Sequence, residues 1–457
     1  MSKECILSQL KNKRILLLGF GREGKSTYQF INEHYPDADL SIADANPDVD
    51  TSIITNKAHR IITGNDYLEI IPDYDIVIKT PGISLKHHLH LTKKTTISSQ
   101  TDLFLHAYAD QCIGITGTKG KSTTTSLIYH ILQSLDQPSL IAGNIGIPLF
   151  DIISKIGKKD KIIIELSSHQ LEFIRRGPAI AVLLNIFEEH LDHYNSFYDY
   201  QLAKFNIATK QNENNCFIYP VSDSLIDLLI KQKKPVSQPK GVSLHPHKQA
   251  YCYVKDHHFV LQLNEKEEIL FTITDKFPLK GEHNLQNVCA SLLAVMLSQK
   301  TINSSALEKA VYSFKSLAHR MEYVATIHQV DFYNDSISTI PQSTIAALEA
   351  IENVNTLILG GMDRGIDYTP LIKIFTDSAV EHFIFTGKAG ERMMQLCKAI
   401  GNKKYYFSND YEKIVAIAKK VTRKNHACLL SPAASSYDAF KNFEERGNLY
   451  KELIQKT

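Results

Sequence analysis

Several features that would set a class at once are missing from this 457-residue chain. No apolar run approaches the ~18 residues of a membrane-spanning helix. Neither sign of charge is in excess: 51 basic residues face 49 acidic ones, a formal charge of +2. A basic coat for nucleic acid or membrane is therefore not indicated. No two of the seven cysteines (Cys5, Cys112, Cys216, Cys252, Cys289, Cys397, Cys428) stand at C-x-x-C spacing. An odd, scattered set argues against a disulfide framework or zinc knuckle and for a reducing compartment. Met1-Ser2-Lys3-Glu4-Cys5 leads into a polar segment without the apolar core of a signal peptide. There is no internal repeat and no low-complexity tract. The expectation is a soluble, cytoplasmic protein.

What is present is globular: 43% hydrophobic and 22% charged residues, in a length that suits about three domains at roughly 150 residues each. Short apolar strands alternate with helical stretches, the mark of α/β architecture with parallel sheets. Arg14–Gly19, Ser41–Asp44 and Asp75–Ile78 read as one set of buried strands. Cys112–Thr116, Lys161–Glu165 and Ala181–Asn185 read as a second. Thr356–Gly360, Phe383–Thr386 and Ala427–Leu430 read as a third. Residues 214–277 differ, with Tyr251–Val254 and Phe259–Leu263 alternating like antiparallel strands. They are expected to be a β-rich addition to the middle domain. Boundaries are placed at 1–108, 109–314 and 315–457.

Two glycine loops carry the first chemical signal. Gly19-Phe20-Gly21-Arg22-Glu23-Gly24 follows a strand, opens a helix and precedes Asp44 at the end of a second strand. That is the dinucleotide fingerprint, in which backbone amides approach a diphosphate and the acid holds a ribose or base. An NAD-dependent oxidoreductase, a different nucleotide diphosphate and a plain strand-to-helix turn all fit it. Gly117-Thr118-Lys119-Gly120-Lys121-Ser122-Thr123 lies between a strand and the expected helix Thr124–Leu135. Amides there wrap phosphates, the lysine neutralises the outer ones and the hydroxyl reaches Mg²⁺. The strict P-loop wants its first glycine at 115, which is Ile; Gly114 is one place early.

Further polar clusters stand at strand ends, where doubly wound sheets place ligand sites. Glu165-Leu166-Ser167-Ser168-His169-Gln170-Leu171-Glu172 could complete a Mg²⁺ shell with Ser122; a capped helix start is the bland reading. Asn185–His193 contains His190, a metal ligand or a satisfied loop histidine. Lys204 alone reads as a solvated helix face. Gly281–Asn284 with Asn287, His319–Glu322 and Asn334–Thr339 look like site material, since an Arg clamps phosphates and a loop Asp can hold a ribose. The pairs His87-His88, His245-x-His247 and His257-His258 read as surface histidines.

In combination these motifs resemble the Mur ligases, in order over nearly the whole chain: G-T-K-G-K-S-T at 117–123, G-N-I-G-I-P at 143–148, E-L-S-S-H-Q-L-E at 165–172, L-N-I-F-E-E-H-L-D-H at 184–193, H-N-x-x-N at 283–287, H-R-M-E at 319–322, G-G-M-D-R-G at 360–365 and S-P-A-A-S-S-Y-D-A-F-K-N-F-E-E-R-G at 431–447. The resemblance implies a Rossmann-like N-terminal domain, a central P-loop ATPase domain and a Rossmann-like C-terminal domain. It implies an ATP-dependent ligase of peptidoglycan precursor synthesis, closest to the glutamate-adding branch, with UDP-N-acetylmuramoyl-L-alanine, ATP and glutamate as substrates and Mg²⁺ as cofactor. Gly19, Gly21, Gly24, Asp44, Thr80, Pro81, Gly82, Asn144 and Ser167 would hold the UDP-sugar. ATP would contact Gly117, Thr118, Lys119, Gly120, Lys121, Ser122, Thr123, Asn284, His319, Arg320 and Asp335. Ser122 and Glu165 would bind one Mg²⁺; His190 and a carbamylated Lys204 would bind a second. Lys121, His190 and Lys204 would be catalytic, and Thr339, Arg364, Ser436 and Phe443 would receive glutamate. A monomer is expected.

Two departures bear on the acceptor. Arg364 stands where the D-glutamate enzymes resembled here carry Lys, and a bidentate guanidinium can still hold a carboxylate. Where the family reads D-S-K-A-T-N, this chain has Asp335-Ser336-Ile337-Ser338-Thr339-Ile340, so a cation is lost at 337. Lys119, at a position usually Asn, is a candidate replacement. D-glutamate is favoured, with an L-glutamate-adding relative as the alternative.

Overall fold

The computed structural model describes residues 2–188, 193–263, 266–279, 281–299, 303–315, 318–400 and 403–456. By internal contacts the chain divides into two compact units, Met1–Phe314 and Lys315–Thr457. Among the described residues the architecture is mixed α/β with three sheets.

The first sheet is all parallel. Its strands run in the order Arg60–Thr63, Leu40–Asp44, Ile15–Leu18, Ile76–Lys79, Thr96–Ser98. The central strand Ile15–Leu18 is buried at every position, which is why it reads as an unbroken apolar run. Chain order reverses on its two sides, so the switch point lies just beyond Leu18, at Gly19.

The second sheet has nine strands: Lys266–Thr272, His258–Leu263, Ala250–Lys255, Gln238–Ser243, Cys216–Pro220, Ile180–Leu183, Cys112–Thr116, Lys161–Glu165, Ser139–Gly143. The β-rich addition of residues 214–277 joins the middle domain by prolonging its central sheet. Cys216–Pro220 and Gln238–Ser243 pair in parallel, joined by the helix Ser224–Lys233, whose N-cap Asp223 accepts from the Leu225 and Ile226 amides. Only the hairpin strands from Ala250 to Thr272 are antiparallel. Helices Lys121–Ser134 and Glu282–Ser298 cover one face, burying Leu127, Ile131, Val288 and Leu292 against Ile113, Ile163 and Val182. Each such side chain contributes ~1.5–3 kcal/mol. On the other face Leu103, Leu171 and Phe205 join Ile15, Leu17 and Ile164 in one cluster. The division expected near residue 108 therefore falls inside the first unit, where two sheets share a core.

The second unit holds six strands: Glu322–Ile327, Val330–Asn334, His426–Leu430, Val354–Gly360, His382–Thr386, Lys404–Phe407. The first two form an antiparallel hairpin and the rest are parallel. No helix among the described residues is long and apolar enough to cross a membrane.

Candidate active site

Strand register assembles the first site. Ile115 pairs with Glu165, Thr116 with Leu183 and Gly143 with Glu165. The loops leaving these strands therefore begin at one level along the C-terminal edge of the sheet. Gly117 and Gly120 have φ of +155° and +84°. At Gly120 a Cβ would lie 2.7 Å from Asn287 Oδ1, so the loop backbone and the helix carrying Asn284 meet with no room for a side chain. Gly120 is a left-handed N-cap, and the helix starts at Lys121 rather than Thr124. Lys121, Ser122 and Thr123 thus form the first turn, with their amides at the positive end of the helix.

Hydrogen bonds fix this loop from three sides. Thr118 N donates to Asn185 O, Lys119 N to Asn185 Oδ1, and Asn185 Nδ2 to Lys119 O. Thr118 Oγ1 is 3.0 Å from Tyr200 Oη and accepts from Phe187 N at 2.9 Å. Lys121 Nζ lies back over the loop, donating to Gly117 O and Thr118 O at 3.0 and 2.8 Å. Lys204, 2% exposed, also donates to Gly117 O, at 2.8 Å, and lies over the Tyr200 ring. Its apparent place on a solvated face is overturned: the helix Phe197–Thr209 turns it inward. His190 lies outside the described residues.

Glu165 is 2% exposed. Oε1 accepts from Asn144 Nδ2 at 2.8 Å, while Oε2 is buried without a hydrogen-bond partner among the described residues. Such an oxygen is expensive to bury unless something else completes it. A carboxylate oxygen and a hydroxyl such as that of the buried Ser122 are the hard-oxygen donor types that Mg²⁺ accepts alongside phosphate oxygens. Among the described residues there is no group of three His, Cys, Asp or Glu placed to hold a metal unaided.

At the first sheet, Gly19 has φ +94°, and a Cβ there would come within 2.0 Å of Thr80 Oγ1. A Cβ on Gly24 would lie 2.1 Å from Gly19 O. Asp44 Oδ2 accepts from Phe20 N at 2.7 Å and Oδ1 from Asn46 N at 2.9 Å, so this acid shapes the loop. Nothing crowds Gly21 or Gly82. Arg22 reaches across to Gly146 O at 3.1 Å, in the loop of Asn144. Ser167 caps a short helix, sharing a capping box with Gln170, whose amide donates to Glu23 Oε2. Burial pushes the Glu23 carboxyl up to about 7.

In the second unit, Asp335 is closed on all sides. Oδ1 accepts from Met321 N at 3.1 Å and Oδ2 from Ser431 Oγ at 2.7 Å. Burial raises it to about 6 against these hydrogen bonds and the nearby Arg320 charge. His319, at φ +65°, meets Asn334 Nδ2 at 2.9 Å and the Phe443 ring edge-on at 6.0 Å; burial holds its pKa down. The loop after Gly360 is tied to the loop after Leu430 by Gly360 N to Pro432 O and Met362 N to Ser435 O. Ser436 is buried, Thr339 and Phe443 are half-buried and Arg364 is exposed.

The family model for the Mur ligase middle domain matches residues 115–295, and that for the Mur ligase glutamate ligase domain matches 319–434. Curated relatives called UDP-N-acetylmuramoylalanine–D-glutamate ligase include one from Geobacter sp. (strain M21), 31% identical with 98% of each chain covered. Another, from Streptococcus agalactiae serotype Ia, is 30% identical with the same coverage. The chain belongs to the Mur ligase family. It is an ATP-dependent acid–amino-acid ligase, and the nicotinamide oxidoreductase left open by the first glycine loop is set aside. Among solved structures, MurF from Acinetobacter baumannii aligns at TM-score 0.56 and 15% identity over 96% of this chain and 90% of that one. MurC from Thermotoga maritima aligns at 0.52 and 18%, over 97% and 99%. These likenesses show the fold.

Several residues of this Mur ligase site have roles that their place in the sequence does not show. Asn185 and Tyr200 pin the P-loop, and Arg446 pins the C-terminal loops. Arg446 is 1% exposed. Its guanidinium donates to Ser336 Oγ at 2.9 Å and to the carbonyls of Ser336, Ala434, Ser435 and Gly360. Only its place in the final E-E-R-G block could have drawn attention to it.

Proposed function

We propose that this Mur ligase joins glutamate to UDP-N-acetylmuramoyl-L-alanine in the cytoplasm, as a monomer, with D-glutamate the favoured isomer. What carries the reading is the sheet edge, where a helix-capped P-loop lies beside Glu165 and its unpartnered oxygen. The acceptor rests on full-length likeness to relatives whose names state that reaction.

A carboxylate is a poor electrophile, so the reaction needs a leaving group on it. The substrate carboxylate attacks the γ-phosphorus of ATP, releasing ADP and forming an acyl phosphate. The glutamate amine then adds to that carbonyl, and the tetrahedral intermediate expels phosphate to leave the amide. Both substrates of the first step are anions, and fixed positive groups must screen them. Lys121 turns from Gly117 O and Thr118 O to the β- and γ-phosphates, joined by the amides of 118–123. Asn284, His319, Arg320 and Asp335 complete the ATP contacts. The Gly19–Gly24 loop, Asp44, the Thr80–Gly82 turn, Asn144 and Ser167 hold the UDP-sugar. Thr339, Arg364, Ser436 and Phe443 hold glutamate.

Mg²⁺ would be held by Ser122 and Glu165, and a second by His190 with Lys204 as its carbamate; bound there, the ions supply charge neutralisation at the phosphates. Carbamylation requires a neutral Lys204 amine. Nitrogen-only density at Lys204 in a metal-loaded crystal would count against the carbamate. The whole reading is tested by phosphate release with D- and L-glutamate in parallel. Release is expected only when ATP, UDP-N-acetylmuramoyl-L-alanine and glutamate are all present, and faster with the D isomer. Turnover without an acceptor would sink the reading, and faster turnover with the L isomer would move it to the L-glutamate-adding relative.

A further inference from the structure

Lys79 ends the strand Ile76–Lys79, and its side chain is 1% exposed. A buried ammonium is unfavourable unless its N–H groups find acceptors. Three oxygens surround it: Ile83 O at 2.7 Å, Thr80 O at 3.4 Å and Glu172 Oε2 at 3.4 Å. The two carbonyls bracket the turn Thr80-Pro81-Gly82, the wall against which the Gly19 loop closes. Glu172 follows the short helix that Ser167 caps. Its Oε2 also lies 3.3 Å from His193 Nε2, and the His193 carbonyl accepts from Ser84 Oγ at 3.0 Å. The contacts close on themselves: turn, Lys79, Glu172, His193, Ser84 and back to the turn. Hydrophobic packing between two sheets does not require such a ring, and it joins segments far apart in sequence.

We propose that Lys79 and Glu172 are positioning residues. They lock the turn that faces the Gly19 loop to the segment carrying Glu165 and Ser167, so that a UDP-sugar held by the first presents its carboxylate in register with the phosphate donor at the second. The proposal rests on the ligase reading above, and its structural half can be tested without it.

The experiment compares Lys79→Met, which keeps length and removes charge, with Glu172→Gln, which keeps an oxygen acceptor. Hydrogen exchange followed by mass spectrometry reads segments 80–85 and 166–172, and steady-state kinetics read each substrate. In Lys79→Met, exchange is expected to rise roughly tenfold in both segments. The KM for UDP-N-acetylmuramoyl-L-alanine should rise ~10–50-fold while that for ATP moves less than ~2-fold. Glu172→Gln should fall between this variant and the wild type. Exchange unchanged in 166–172 would overturn the proposal, as would equal rises in both KM values. If the unmutated chain shows no ligation, the ligase reading fails; exchange alone then decides, both segments loosening together upholding the lock. If Lys79→Met does not fold, Glu172→Gln decides by the same exchange criterion.

Discussion

Two buried carboxylates, one in each unit, keep opposite company. Glu165 and Asp335 are each 2% exposed. Asp335 has both oxygens bonded, by Met321 N and Ser431 Oγ, and serves as a clamp between loops of its own unit. Glu165 has one oxygen bonded to Asn144 and the other without a partner among the described residues. A satisfied buried carboxylate holds a fold together; one left half-satisfied beside a P-loop is open to a ligand. The difference lies in the oxygen each acid still has to offer, which residue type alone does not show.

Removing Glu165 should break that contrast most sharply. In Glu165→Ala, as in Lys121→Ala, turnover is expected to fall by ~10³-fold or more while the thermal midpoint moves by no more than about 2 °C. Near-normal kcat in a folded variant would show that the bare oxygen does not serve the reaction. Asp335→Ala should cost ~1–3 kcal/mol of stability, because the Met321 amide loses its acceptor while the Ser431 hydroxyl keeps only Thr344 Oγ1. Urea unfolding of the isolated second unit against the full chain would show whether that loss is confined to it.

Arg446→Met should lower stability by ~1–3 kcal/mol, since four carbonyls and a hydroxyl lose their donor. The KM for glutamate should rise several-fold with binding of a non-hydrolysable ATP analogue unaltered by calorimetry. Equal losses for both ligands would break the assignment of Arg446 to the glutamate loops. The smallest expected effect is on pH. Glu23, at about 7, and Asp335, at about 6, are both raised by burial. Each favours the fold fully below its unfolded value near 4, and that favour is lost as pH rises through the folded value. Stability should therefore decline between about pH 5 and 8, and Glu23→Gln should remove about 1–3 kcal/mol of that slope. Parallel melting curves for variant and wild type from pH 5 to 8 would refute it.

The strands beneath the site were legible because Cys112–Thr116 and Lys161–Glu165 are buried apolar runs ending in polar residues. The helix start was misjudged by three residues because Lys121-Ser122-Thr123 are polar and give no apolar period; only the left-handed Gly120 marks the boundary. The parallel pair Cys216–Pro220 and Gln238–Ser243 was hidden by the alternating strands that follow it. The hairpin Glu322–Asn334 is masked in the sequence because polar site-type residues stand at both of its ends. Lys79, Glu23 and Arg446 were out of reach for a different reason: their meaning lies in partners far along the chain, such as Ser336 for Arg446, 110 residues away. Sequence spacing cannot rank such pairs until the fold brings them together.

The register of the nine-stranded sheet also governs where this chain can change length. Glu165 sits level with Ile115 and Gly143. One residue inserted in Lys161–Glu165 would move the carboxylate by ~3.3 Å and turn it to the opposite face. The strands from Ala250 to Thr272 lie at the far margin of the same sheet, several strands from that edge. Insertions and deletions in descendants of this sequence should therefore gather at that margin, leaving the four innermost loops at fixed length.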